Sequence, residues 1–200
     1  MGDACMSFWF DEGDKQNYDK CLLSILEIQK AIKELNDSDP IMKEDPLKVR
    51  MGLNSGDVIL CDIGAAKARV DLTMIGDAVN IAARLETACS QYFIDNLVSD
   101  SVAKDAKNQF SIRIIDRIKV YGKDTPVAVY EIINEVENTS QKENDLINHF
   151  ERGFEAYTKG EFSAGLKHFQ KSKPLEIDRG YSSTPSDAVS YTHLTLPTKA

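Results

Sequence analysis

Thr73-Met74-Ile75-Gly76-Asp77-Ala78-Val79-Asn80-Ile81-Ala82-Ala83-Arg84-Leu85-Glu86 holds a change of backbone period and two convergent polar side chains. Residues 70–76 read as a short strand ending at Gly76. Asp77 is then expected to be the N-cap of a helix over about 77–89, with Val79, Ala82, Ala83 and Leu85 helix-compatible behind it. On that helix Asn80 and Arg84 share a face, with Cβ atoms about 5–6 Å apart. An amide and a rigid fork of guanidinium donors suit an anionic, oxygen-rich ligand. From spacing alone a plainer use is commoner, with Arg84 on a surface carboxylate and Asn80 on the backbone.

Working outward, Cys21, Ile25, Ile28, Ile32 and Leu35 fall in steps of four and three, one face of an amphipathic helix over about 15–36. Asn36-Asp37-Ser38-Asp39-Pro40 stops it. Val49, Met51 and Leu53 alternate with polar residues and glycine as a strand. Ser55-Gly56-Asp57 turns the chain, and Val58-Ile59-Leu60-Cys61 is expected to return as its hairpin partner. Near the start, residues 4–10 read as a buried strand with nothing before it to pair with, so the native protein is expected to begin well upstream. Downstream come a strand near Phe93–Val98 and a small helix from Ser99 to Lys107. Phe110, Ile112 and Ile114 then alternate, and a phase shift before Ile118 and Val120 suggests a bulge. A turn over residues 122–126 leads to a last strand, Val127 to Ile133. The expected class is an α+β sandwich whose mixed, mainly antiparallel sheet is flanked by helices.

A first domain is thus expected over 1–134, then a polar linker over 135–145. Leu146, Phe150, Phe154 and Tyr157, a break at Lys159-Gly160, and Phe162, Leu166 and Phe169 predict a helical hairpin over 146–178. It is similar to one tetratricopeptide-type unit at Tyr157, Gly160, Phe162 and Phe169, although a plain docking hairpin fits equally well. Such a hairpin offers a surface for protein contacts. Residues 179–200 read as translated adapter or read-through, the alternative being a native disordered tail, and are set aside from fold reasoning.

The 200 residues carry 24 Lys plus Arg against 32 Asp plus Glu, a net charge of -8. Such a chain is a poor nucleic-acid binder, because phosphate affinity rests on clustered basic residues. A nucleotide remains open to it, held by one basic residue, backbone amides and metal ions. Cys5, Cys21, Cys61 and Cys89 form no C-x-x-C pair and the three histidines stand beside none of them, so zinc spacing is absent. Buried or idle thiols of a reducing cytoplasm are expected. No apolar run approaches the roughly 20 residues of a membrane span. The start lacks the features of a signal peptide. A soluble, cytoplasmic chain is expected, with membrane attachment of a longer native protein left open.

Thr73 through Leu85 resembles the signature of the class III adenylate/guanylate cyclase catalytic domain. So do Gly2-Asp3-Ala4 with Met6-Ser7-Phe8-Trp9, residues 49–56 (Val-Arg-Met-Gly-Leu-Asn-Ser-Gly), and Gly122-Lys123 with Pro126-Val127 and Val129-Tyr130-Glu131. Four motifs in one order cover residues 2–133, which is far more specific than any one alone. The resemblance implies head-to-tail homodimers with active sites at the interface, and two aspartates binding two Mg²⁺ or Mn²⁺ ions around the triphosphate. Asp3 matches the second of these, and the first is placed upstream of this chain. Asn80 matches the residue that orients the ribose, and Arg84 the one that stabilises charge on the phosphates. Thr73 matches a base-selecting position and is the adenine-type choice, so ATP is favoured over GTP. The partner lysine of that selection has no match here. Many members carry Lys-Gly-Lys before the last strand, and here Tyr121 replaces the first lysine. Either Lys123 substitutes for it or triphosphate binding is weaker, and the plainer reading of Lys123 is a solvated turn residue.

The implied activity is that of an adenylate cyclase, a phosphorus–oxygen lyase converting ATP to 3′,5′-cyclic AMP and diphosphate in intracellular signalling as part of a longer protein. The chain alone is expected to be inactive, because one metal aspartate has no match in it. The alternatives are a catalytically inactive cyclase-homology module for dimerisation or nucleotide sensing, and a helical-repeat scaffold. Asp57, Asp62, Asp71 and Asp77 read as turn, cap or surface residues.

Overall fold

The computed structural model describes residues 4–10, 15–63, 71–118, 126–181 and 183–194. In chain order its elements are α1 (Lys15–Ser38), α2 (Pro40–Glu44), β1 (Met51–Leu53), β2 (Ile59–Ile63), β3 (Asp71–Ile75), α3 (Asp77–Tyr92) and β4 (Asn96–Ser99). They continue with α4 (Asp100–Ala106), β5 (Phe110–Ile118), β6 (Val127–Glu135), a 3₁₀ turn (Val136–Asn138), α5 (Gln141–Thr158), α6 (Phe162–Asp178) and α7 (Pro185–Leu194).

Neighbouring residues of the strands serve two cores, as period-2 side-chain alternation requires. Leu97, Ile115 and Val129 join Ile81, Leu85, Cys89 and Tyr92 of α3 and Phe150, Phe154 and Phe169 of α5 and α6. Val98, Ile112 and Ile132 instead join Leu22 and Ile25 of α1 and Val102 and Ala106 of α4. The sheet between the two cores has the order β1-β4-β6-β5, and β2 pairs with β3 in a second, two-stranded sheet. β1 runs parallel to β4, while β4–β6 and β5–β6 are antiparallel. This is the α+β class that the alternation of strand and helix patterns predicts. The expected bulge is present, since the β5–β6 register slips between Ile114 and Asp116.

Several expectations are corrected. β1 and β2 are not a hairpin: Met51, Gly52 and Leu53 stand opposite Asn96, Leu97 and Val98, and β2 pairs with β3 from Ile59↔Ile75 to Ile63↔Asp71. Short apolar runs say that a segment is extended without saying which edge receives it. Residues 4–10 form no strand and are exposed, with Phe8 and Phe10 packed edge to face at 5.3 Å. Apolar residues in sequence do not make a strand without a neighbouring strand to complete a ladder. Asp77 is the first residue of α3 rather than its cap; Gly76 holds the cap position without a side-chain bond.

The expected linker is mostly ordered. It comprises the end of β6, the 3₁₀ turn and the first turns of α5, where Ser140 and Glu143 form a reciprocal capping box. α5 and α6 then fold back on each other as the predicted hairpin. A Cβ on Gly153 would stand 2.9 Å from the Phe169 ring, so the missing side chain lets the ring seat there. The tail set aside from fold reasoning contains α7, whose Val189 is buried against the first core.

Candidate active site

The rotation of α3 is set by its apolar stripe. Ile81, Leu85, Ala88, Cys89 and Tyr92 are buried, which turns Asn80 and Arg84 outward, one helical turn apart and both exposed. The helix begins at once, with the Asn80 amide donating to the Gly76 carbonyl at 3.4 Å. Asp77 in the first turn complements the positive end of the helix.

Three residues around β1 hold the height and slide of α3. A Cβ on Gly52 would lie 2.0 Å from the Ala82 carbonyl oxygen and 2.4 Å from the Glu86 nitrogen, so helix and strand backbones touch there. Asn54 Nδ2 donates to the Ala78 carbonyl at 3.1 Å. Arg50 Nε donates to Glu86 Oε1 at 2.8 Å, an exposed pair that aligns more than it stabilises. Ser55, next in the chain, meets the Tyr18 hydroxyl of α1 at 3.0 Å. None of these roles is read from sequence alone, although a glycine inside an alternating strand signals close backbone approach.

Two buried groups fix the far end of α3. The Tyr92 hydroxyl donates to Asp116 Oδ2 of β5 at 2.8 Å, and burial followed by the Asp116 charge holds that phenol protonated far above its ordinary range. Burial, and next the charges of Glu86 and Glu131, push the Cys89 thiol up to about 12.

Of the residues singled out from sequence, the structure places three. Thr73 is half-buried on β3 opposite Cys61, and β3 runs through Gly76 into the helix that carries Asn80 and Arg84. Asp3 and Lys123 lie outside the described residues. Among the described residues no group of three or more His, Cys, Asp or Glu side chains is placed to hold a metal ion. Asp57, Asp62 and Asp77 are exposed, although Asp57 is not in a hairpin turn and Asp77 is not a cap. All four cysteines are free thiols, with Cys21 and Cys89 buried. Among the described residues no helix is long and apolar enough to cross a membrane.

Residues 1–134 match the family described as Adenylate and Guanylate cyclase catalytic domain. An adenylate cyclase of Anabaena cylindrica is 34% identical over 139 residues, 66% of this chain and 27% of that protein. The terminal-differentiation-specific adenylate cyclase of Dictyostelium discoideum is 26% identical over 179 residues, 85% of this chain and 8% of that protein. The chain therefore spans about a quarter or less of these relatives. Among solved structures, the adenylyl cyclase CyaB from P. aeruginosa aligns with a TM-score of 0.54 at 27% identity, over 64% of this chain and 65% of that one. The guanylyl cyclase Cya2 aligns with a TM-score of 0.53 at 20% identity, a likeness of fold.

Proposed function

The chain belongs to the adenylate and guanylate cyclase catalytic domain family, and from that premise we propose that it is the catalytic part of an adenylate cyclase that turns ATP into cyclic AMP and diphosphate. The observation that carries this reading is the outward placement of Asn80 and Arg84 on consecutive turns of a helix whose other face is fully packed. In the reaction the ribose 3′-oxygen bonds to the α-phosphorus, the bond from that phosphorus to the bridging oxygen breaks, and diphosphate leaves with it. The proton of the 3′-hydroxyl passes to solvent as diphosphate departs. The Asn80 amide orients the ribose. The Arg84 fork meets the phosphate oxygens as negative charge grows on them, where a fixed donor is worth most. The Thr73 hydroxyl accepts from the adenine exocyclic amine. Asp3 is the residue of this chain that would hold Mg²⁺ or Mn²⁺, an ion that when bound supplies further neutralisation of the triphosphate. Lys123 serves the outer phosphates.

The reading includes a homodimer with Asp3 on one side of each interface site and Asn80 and Arg84 on the other. One observation favours a second reading, a nucleotide-sensing or dimerising module without turnover: Tyr121 stands where many members have lysine.

One experiment separates the readings. In a longer form of the protein, Arg84→Ala should lower kcat about 10²–10³-fold, the scale of one preorganised oxyanion donor, and Asp3→Ala should abolish turnover. Mixing the two should restore activity to at most about a quarter of wild type, since each mixed dimer keeps one intact site. ATP should be preferred over GTP. No recovery despite proven subunit exchange removes the shared site, and an inert longer form leaves the module reading.

A further inference from the structure

The family match ends at residue 134, yet the chain beyond it is bonded into the same core. Arg113 of β5 is fully buried between two carboxylates. Its Nε donates to Glu131 Oε2 of β6 at 2.7 Å, and its Nη1 donates to Glu176 Oε1 of α6 at 2.6 Å. Its guanidinium carbon lies 4.6 Å from the centre of the Phe150 ring of α5. Glu176 is as deeply buried as Arg113. At the rim, Arg179 donates to the Ile133 carbonyl at 2.7 Å and pairs with Glu143 of α5. Removing the Glu176 carboxylate with the hairpin still docked would leave one edge of the buried guanidinium without its partner, which is the costly way to break a buried pair.

The same strand holds the helix that presents Asn80 and Arg84. Three residues after Arg113, Asp116 accepts the Tyr92 hydroxyl from the end of α3. Between these two polar ties lies one apolar cluster, with Ile81, Leu85, Cys89 and Tyr92 of α3, Ile115 of β5, and Phe150, Phe154 and Phe169 of the hairpin. The bulge at Ile114/Asp116 accompanies this, since Ile115 and Asp116 both serve the α3 side.

We propose that the α5–α6 hairpin is a positioning arm of the cyclase site: docked through the Arg113–Glu176 pair, it sets the order of α3 and with it the placement of Asn80 and Arg84. A partner that pulls on the hairpin then acts on the site without touching nucleotide. The proposal rests on the reading of Asn80 and Arg84 given above, and its test does not use turnover, so the two fail separately.

The test is hydrogen exchange on the full chain. In Glu176→Ala, exchange should speed up about tenfold or more both over residues 141–178 and over residues 77–92, because one opening unit contains both. Residues 59–63 and 71–75, outside that cluster, should stay near wild type. Glu176→Gln keeps an acceptor for Nη1 and should restore much of the protection in both regions together. Should Glu176→Ala fail to fold, Glu176→Gln alone decides, with a smaller paired change expected. Lys142→Ala, which cuts the exposed Lys142–Asp178 pair on the same hairpin, should leave both regions unchanged. Faster exchange in the hairpin with α3 unmoved overturns the proposal, and so does an unchanged pattern in both Glu176 variants.

Discussion

Gly52 is where the backbone of α3 crosses β1, and its missing side chain is a distance constraint. With a Cβ 2.0 Å from the Ala82 carbonyl, something must move, and the obstacle is helix backbone that cannot rotate away. Gly160 is the contrast. It sits at φ +79 in open space at the α5–α6 turn, so its reason is conformational alone. We therefore expect Gly52→Ala to cost about 1–3 kcal/mol or more, the usual range for overpacking a tight contact. The urea midpoint should fall accordingly, and α3 should exchange faster than α1. An unchanged midpoint would mean that helix and strand are not in backbone contact.

Within the α5–α6 element, His149 and His168 face each other with ring centroids 5.8 Å apart, and the Nδ1 of each is buried without a partner among the described residues. Burial holds the pKa of His168 below its ordinary value, and His149, Lys171 and Arg152 push in the same direction. The unfolded chain thus binds more protons near pH 6.5 than the folded one, and stability falls as pH drops through the ordinary histidine range. The Asp95 and Glu151 carboxyls are held above their ordinary range, chiefly by partial desolvation, so they gain stability in acid and the comparison must be with a variant. His168→Gln should lose less melting temperature than wild type between pH 7.5 and 5.5. Parallel losses would remove the histidine pair as the cause. At this scale the sequence is legible wherever a periodic stripe meets a stop signal: α1, α3, α5 and α6 lie where their apolar steps place them. Strand partners are not legible, because Val49–Leu53 carries no mark that its neighbour is β4, forty-odd residues on, rather than the next apolar run.

Over the whole molecule, the face of α3 that carries Asn80 and Arg84 is readable from spacing, and the use proposed for it only from the accompanying motifs. What supports the helix is not readable. Arg113, Glu131 and Glu176 are scattered over more than sixty residues, each resembling an ordinary surface charge until the fold buries them together. Nor does the end of the family match mark an end of the core, since Phe150, Phe154 and Phe169 beyond it pack with residues inside it. This joint core gives the chain a chemical clock. Cys5 is exposed, while Cys89 sits in the middle of the packed stripe of α3 with its thiol pushed up to about 12. Relative to an ordinary thiol it holds on the order of a thousandth of the thiolate at neutral pH, before access is considered. A maleimide should therefore tag Cys5 within minutes and spare Cys89 until α3 lifts. Mass spectrometry of the tagged chain should show the Cys89 adduct rising in step with loss of helical signal along a urea series. If Cys89 is tagged as fast as Cys5 without denaturant, α3 is open in the native state; if it stays dark, each adduct counts one opening of the core.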